Sequence, residues 1–211
     1  MTYKKNILLL FIIFLLGLSS SAIEKASVKY DVDLIDYKKL NSQVILNEAD
    51  NFFEQYLITK DKKYLSTAMG KYYILTQIHP VDMYPTVQLA RTYDFANLDR
   101  IAKGYFSNGY DINKKDPYLN YHHAEFYFRR NDFKRALRYY KVACNNGYAN
   151  NYDLNYKIAT IYEKFADLKN ALYYYEKAYS LNPENILLKE KSMLIRSLDY
   201  DKSEYYKTIR E

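Results

Sequence analysis

Few residues in this chain are of the kinds that catalyse reactions or bind metals. Its histidines are His79, His122 and His123, and the adjacent pair would point about 100° apart on a helix, so it cannot form the zinc-binding pair of an HExxH motif. The only cysteine, Cys144, excludes an intrachain disulfide and a cysteine metal cluster. Phosphate-loop, dinucleotide-binding and nucleophile-elbow motifs are absent. We therefore predict no enzymatic activity, metal, cofactor or small-molecule substrate, with His123 on a packing face and one histidine at the surface.

The composition is typical of a helical globular protein. Only 5 glycines and 4 prolines occur among 211 residues, too few for a turn-rich β protein. Because 49% of the residues are hydrophobic, intrinsic disorder is excluded. The sequence therefore predicts an all-α protein stabilised by packing.

The first 22 residues have the pattern of a secretory signal peptide. Lys4 and Lys5 precede a charge-free apolar run at 7–18, and small residues follow at 19–22. As a helix the run would span about 18 Å, less than the roughly 30 Å of a hydrocarbon core. We expect cleavage after Ala22 and export to the periplasm, the cell envelope or the medium. The alternative is an uncleaved anchor, which would be the only contact with a membrane.

The charge of the mature chain is small and dispersed. Removing Lys4 and Lys5 leaves 29 basic residues (31 minus 2) against 25 acidic ones, a net charge of +4. Nucleic-acid binding gains its affinity from many phosphate contacts, and an exported protein meets little nucleic acid. We therefore expect no nucleic-acid partner.

A repeat of 34–35 residues dominates the rest of the chain. Residues 131–143 (NDFKRALRYYKVA) and 166–178 (ADLKNALYYYEKA) share 7 of 13 positions, and such a period is typical of stacked supersecondary units. When the units are aligned, one column of equivalent positions contains only small residues: Ala68, Ala102, Ala136 and Ala171. An aromatic column follows four residues later: Tyr72, Phe106, Tyr140 and Tyr175. Further alanines precede tyrosines by three: Ala90 and Tyr93, Ala124 and Tyr127, Ala159 and Tyr162.

These spacings predict one helical hairpin in each unit. Residues three and four apart share a helix face, where small alanines let two helices approach and the aromatic ring fills the space beyond them. A polar break separates the two helices, and we expect Asp132 and Asp167 to cap the second helix of their units.

The chain resembles the tetratricopeptide repeat (TPR) family, whose pattern places small, aromatic and proline residues at fixed offsets in a 34-residue helix–turn–helix. The unit at 152–185 matches best, through residues that include Ala159, Tyr162, Ala171, Tyr175 and Pro183. The resemblance implies an all-α, right-handed superhelix of antiparallel helix pairs with a C-terminal capping helix. The related Sel1-like repeat is the nearest alternative, suggested by Gly109 and Gly147, but the period argues against it.

The predicted organisation has four parts. A signal peptide covers 1–22, and a lead-in and cap cover 23–48. About four units follow at 49–82 (degenerate), 83–116, 117–151 and 152–185. A capping helix and tail cover 186–211, with the helix at about 184–198. Its apolar residues are Ile186, Leu187, Leu194 and Leu198, and 189–191 are solvated.

In the TPR family, the first helices line a concave face that commonly binds a peptide, so the resemblance implies a groove here. The expected lining is Tyr84, Val87, Arg91 and Asp94 in one unit, Tyr118, Tyr121, His122, Glu125, Phe128 and Arg129 in the next, and Asp153, Tyr156, Lys157, Thr160 and Lys164 in the last. Tyrosine and arginine are enriched at binding hot spots. The groove would suit a peptide with apolar anchors and an acidic group.

Two functions remain open on this evidence. The first is an exported scaffold that binds a protein or peptide in the groove. The second is a structural component of an envelope assembly that associates with itself through unit ends or convex faces.

Overall fold

The computed structural model describes residues 41–197, and every regular element in this range is helical. The predicted signal peptide, most of the lead-in and the tail lie outside the described residues. The helices are α1 (Ser42–Thr59), α2 (Lys62–Ile78), α3 (Met83–Phe95), α4 (Asp99–Ile112), α5 (Pro117–Phe128), α6 (Phe133–Ala143), α7 (Tyr152–Lys164), α8 (Leu168–Leu181) and α9 (Ile186–Ser197). The predicted all-α class is confirmed. None of these helices is long and apolar enough to span a bilayer.

Two compact units divide the chain. The described part of the first contains α1–α4, and that of the second, which begins at Asn113, contains α5–α9. Inside each unit, helices that follow one another pack together: α1 with α2, α2 with α3 and α3 with α4 in the first; α5 with α6, α7 with α8 and α8 with α9 in the second.

The repeat columns form the core of both units. The alanines of the small column are fully buried, as are Tyr72, Phe106, Tyr140 and Tyr175 of the aromatic column. The upstream alanines Ala90, Ala124 and Ala159 are also fully buried. The alanine methyl groups leave room for two helices to approach, and the rings fill the space that remains, as the close packing of protein interiors requires.

Short turns join the two helices of each hairpin, and each contains one residue with left-handed backbone geometry. These residues are Lys60, Asn97, Asn131 and Ala166, with φ between 57° and 61°. The next helix then begins with an aspartate cap in three of the four hairpins. Asp132 accepts from the Arg135 backbone N–H at 3.1 Å, and Asp167 from that of Asn170 at 3.2 Å. The predicted capping role of both aspartates is confirmed, since each satisfies a backbone donor that the helix leaves unpaired.

A π-helical turn at Cys144–Tyr148 connects α6 to the loop before α7. Its Gly147 has a φ of 132°, a conformation that side chains with a Cβ rarely adopt. The turn places Tyr148 beside Tyr121 of α5, with ring centroids 5.7 Å apart. It therefore adds an aromatic side chain to the surface formed by the first helices of the second unit.

Helix α9 differs from the expected cap. The side chains that it buries are Leu188, Ser192 and Ile195, which share one face at spacings of four and three. The predicted apolar residues Ile186, Leu187 and Leu194 are instead 66%, 75% and 53% exposed, as is Met193 at 59%. These three apolar residues are therefore not the ones that pack against α8, and the fourth, Leu198, lies outside the described residues.

Candidate functional site

The predicted partner-binding residues lie on three helices. Tyr84 and Arg91 are on α3 of the first unit. The second unit has Tyr118, Tyr121, His122, Glu125 and Phe128 on α5, Arg129 at its C-cap, and Tyr156, Lys157 and Lys164 on α7. We call the α5 and α7 set, with Arg129, the first-helix face.

A carboxylate, Glu125, lies at the centre of the first-helix face. One of its oxygens accepts a hydrogen bond from the Tyr140 hydroxyl and lies 2.7 Å from Lys157 Nζ. The other oxygen is 3.7 Å from Arg129 Nη1. Because the Glu125 side chain is only 13% exposed, these contacts compensate for the loss of water around its charge.

Lys157 links α7 to α5 and to its own helix. Besides Glu125, its ammonium lies 3.0 Å from Asp153 Oδ2, and Asp153 accepts a hydrogen bond from the Tyr121 hydroxyl. The ammonium is also 5.8 Å from the ring centroids of Tyr121 and Phe128, within the range of a cation–π contact. The predicted residues Tyr121, Glu125 and Lys157 therefore belong to one internal network.

The tyrosine hydroxyl in this network remains a donor at neutral pH. Burial, and then the negative charge of Glu125, hold the pKa of Tyr140 well above its usual value, because both disfavour the phenolate. Tyr140 is therefore a structural hydrogen-bond donor and cannot act as a general base near neutrality.

The same arrangement recurs one repeat later. The Tyr175 hydroxyl donates to Glu163, and Glu163 lies 2.7 Å from Lys191 Nζ. Lys191 also lies 5.0 Å from the Tyr175 ring centroid. Burial and the hydrogen bond to Glu163 raise the pKa of Tyr175. Both networks follow one scheme. A tyrosine on the second helix of a hairpin donates to an acid on the first helix of the same hairpin, and that acid contacts a lysine on the helix that follows the hairpin.

In the first unit, Asp50 of α1 is the acceptor. It lies 2.5 Å from the Tyr72 hydroxyl and 3.0 Å from the Tyr84 hydroxyl, each of which donates to it. Gln88 then donates to the Tyr84 hydroxyl at 2.7 Å, and Arg91 donates to Gln88 at 2.6 Å. The predicted residues Tyr84 and Arg91 therefore take part in a hydrogen-bonded chain across α1, α2 and α3.

Val87 and Asp94 do not line a surface, contrary to expectation. Val87 is fully buried and Asp94 is 3% exposed. Helix α3 packs against both α2 and α4, so its covered face is wider than the Ala–Tyr spacing suggests.

The solvent-facing part of the first-helix face is basic and aromatic. Arg129, Tyr156 and Lys164 are exposed, and Lys164 lies 5.1 Å from the Phe133 ring centroid. The face also carries half-buried rings on α5, where Tyr118 and His122 pack edge to face with centroids 4.4 Å apart. His123, in contrast, is buried and stacks on Tyr139 at 4.4 Å, in the core position predicted for it.

Sequence reasoning missed the internal acceptors and their partners. Asp50, Glu163 and Lys191 were not identified as members of any network, although Lys157 and Lys191 are 34 residues apart and Tyr140 and Tyr175 are 35 apart. That shared spacing is the pattern from which the second network could have been inferred. Within residues 41–197, no group of three or more His, Cys, Asp or Glu side chains is arranged to hold a metal ion.

Comparison with known proteins finds similarity in fold but not in sequence. No family model and no curated sequence matches the chain. Among solved structures, MamA 41-end from Desulfovibrio magneticus RS-1 aligns with a TM-score of 0.60 and 13% identity, over 84% of this chain and 95% of that one. PilF of Pseudomonas aeruginosa aligns with a TM-score of 0.57 and 13% identity, over 77% and 75%. YrrB, described as a TPR protein with an unusual peptide-binding site, aligns with a TM-score of 0.53 and 16% identity, over 87% and 90%.

The buried tyrosines generate a prediction about alkaline stability. The pKa of Tyr174 is raised to about 12, and those of Tyr140 and Tyr175 are also raised. Above about pH 10 the unfolded chain loses phenol protons that the folded chain retains. The free energy of unfolding therefore falls as pH rises from there, by up to about 1.4 kcal/mol per pH unit for each fully buried tyrosine, such as Tyr140 or Tyr175.

Urea titrations at a series of pH values on both sides of 10 measure this slope. We expect Tyr140→Phe to make the slope shallower, and to lower stability at neutral pH because Glu125 loses a donor. The control is Tyr173→Phe, at a tyrosine that is 58% exposed. Equal slopes in the wild type and Tyr140→Phe would contradict the assignment.

These helix pairs, stacked in sequence within each unit and superposable on solved TPR structures, show that the chain has an all-α, TPR-like fold.

Proposed function

We propose that this protein is an exported, non-enzymatic scaffold that binds a protein or peptide partner through the first-helix face. One observation carries the proposal: the central acid of this face, Glu125, is paired internally, whereas two cations and an aromatic ring of the face are exposed. Glu125 contacts Lys157, as does the neighbouring Asp153, whose side chain is 48% exposed, while Arg129, Tyr156 and Lys164 are exposed. Such a surface suits a partner segment with acidic residues and apolar anchors.

The fold supports this proposal. Stacked helical repeats commonly present extended surfaces that bind partners. YrrB, which has a similar fold, is described as having a peptide-binding site.

Site-specific photocrosslinking in the producing cells tests the binding face. A photoreactive amino acid at Tyr156, which is 38% exposed on α7, is expected to crosslink a distinct partner. The matched control is the same amino acid at Tyr173, which is 58% exposed on α8. Arg129→Ala with Lys164→Ala should reduce the yield at position 156 on the order of tenfold, since charged side chains at an interface contribute strongly.

The charge control is Lys134→Ala with Lys169→Ala, at exposed lysines of the second helices, which should leave the yield unchanged. Equal crosslinking at positions 156 and 173, or equal loss with both double variants, would refute binding through the first-helix face.

Export is the second part of the proposal, and its support is the charge and hydropathy pattern of residues 1–22. Terminal sequencing of the protein recovered from its producing cells is expected to read Ile23-Glu24-Lys25. A chain that still begins at Met1 and sediments with membranes would instead support the uncleaved anchor. A chain that begins at Met1 and stays in the cytoplasmic fraction would refute export.

A specific observation favours self-association as the alternative function. Helix α9 exposes four large apolar side chains, Ile186, Leu187, Met193 and Leu194, on the face opposite its contact with α8. Clustered exposed apolar residues mark interaction surfaces more often than scattered ones.

Light scattering over a range of protein concentrations distinguishes the alternatives. If self-association is the function, the mass rises with concentration, and Leu187→Asp with Leu194→Asp restores a monomer. Leu98→Asp, at a leucine that is 39% exposed in the first unit, is the control and should leave the association intact. A mass equal to one chain at every concentration would eliminate this alternative.

A further inference from the structure

A cavity of about 410 Å³ opens on the first compact unit, apart from the first-helix face. Its walls come from α2, α3 and α4, and include Tyr73, Thr76 and Gln77 from α2, Thr86 from α3, and Tyr105 and Asn108 from α4. Its volume falls within the range of small-ligand sites, roughly 300–1,000 Å³. None of the residues discussed above as partner-binding lines it.

The lining of this cavity carries no charged side chain, although 27% of the chain is charged. Tyrosine, threonine, glutamine, asparagine and one proline, Pro80, supply all of it. A charged ligand that lost part of its hydration here would meet no opposite charge in the lining, which is unfavourable. The lining therefore favours a neutral ligand.

Aromatic rings form the apolar part of the wall. The Tyr105 ring stacks on Tyr93 with centroids 5.3 Å apart. Burial, and then the neighbouring Tyr73 hydroxyl, raise the pKa of Tyr105 to about 12. Both the position and the neutral state of the ring are therefore maintained, and it offers a ligand a hydrophobic surface.

Threonine and amide side chains supply the polar groups of the lining. Thr76 Oγ1 and Thr86 Oγ1 donate to the backbone carbonyls of Tyr73 and Asp82, each at 2.7 Å. Thr76 Oγ1 also accepts from Gln77 Nε2 at 3.3 Å, and because a hydroxyl oxygen has two lone pairs, each threonine oxygen keeps acceptor capacity for a ligand. Gln77 and Asn108 are exposed on α2 and α4. Each amide combines donors and an acceptor, which suits a ligand with hydroxyl groups along its edge.

We propose that this cavity binds a neutral sugar ring. A pyranose has an apolar face of C–H groups, which would lie against Tyr105, and an edge of hydroxyls, which would bond to Gln77, Asn108 and the threonine oxygens. This is a ligand-binding site and not a reaction centre, since the lining offers no general base or activated nucleophile. It is independent of partner binding by α5 and α7.

Saturation-transfer NMR on the protein purified from its producing cells tests the proposal with three probes: glucose, N-acetylglucosamine and glucuronate. We expect at least one neutral sugar to bind saturably with a Kd on the order of 1 mM, with the strongest saturation on the C–H protons of one ring face. Glucuronate, which differs from glucose by a carboxylate, should bind at least tenfold more weakly.

Two exposed neighbours on α4 supply the matched variants. Asn108→Ala is expected to weaken sugar binding about tenfold, whereas Ser107→Ala, at the exposed residue beside it, should leave binding unchanged. Helical circular dichroism of both variants should equal that of the wild type.

Three results would overturn the proposal: no saturable binding of either neutral sugar, glucuronate binding as tightly as glucose, or equal binding by Asn108→Ala and the wild type. None of these results bears on partner crosslinking at Tyr156, so the two proposals fail separately.

Discussion

The structure depends on how three buried tyrosine hydroxyls are satisfied. Tyr72, Tyr140 and Tyr175 are fully buried in the aromatic column, and a buried hydroxyl without a partner would cost about 1–3 kcal/mol. In each case a carboxylate of the preceding first helix accepts the bond: Asp50, Glu125 or Glu163. The ring fills the space between helices while its polar end links them.

This constraint determines the chemistry of the neighbouring surface. A carboxylate close to a buried tyrosine is itself partly desolvated, and a positive partner compensates for that. Lys157 does so for Glu125, and Lys191 for Glu163. Glu125 and Glu163 are therefore paired internally, and the exposed groups of the first-helix face include the basic and aromatic side chains of Arg129, Tyr156 and Lys164.

The molecule therefore carries three surfaces of different character. The first-helix face is basic and aromatic, the free side of α9 is apolar, and the cavity of the first unit is polar and uncharged. Each suits a different class of ligand, because charge, apolar area and neutral hydrogen-bonding groups select for different partners. Repeat proteins can combine such surfaces, since each repeat contacts mainly its neighbours and its outward residues vary without disturbing the core.

The sequence alone determined the helices, the hairpins and the buried columns. Spacings of three and four residues are local properties of a helix, so the burial of Ala136 and Tyr140 and the caps at Asp132 and Asp167 could be predicted directly. The tertiary structure decided which polar groups remain available to a partner. Glu125 and Lys157 are 32 residues apart, and the free side of α9 depends on where α8 packs. Such contacts follow from the packing of separate helices, which local periodicity does not encode.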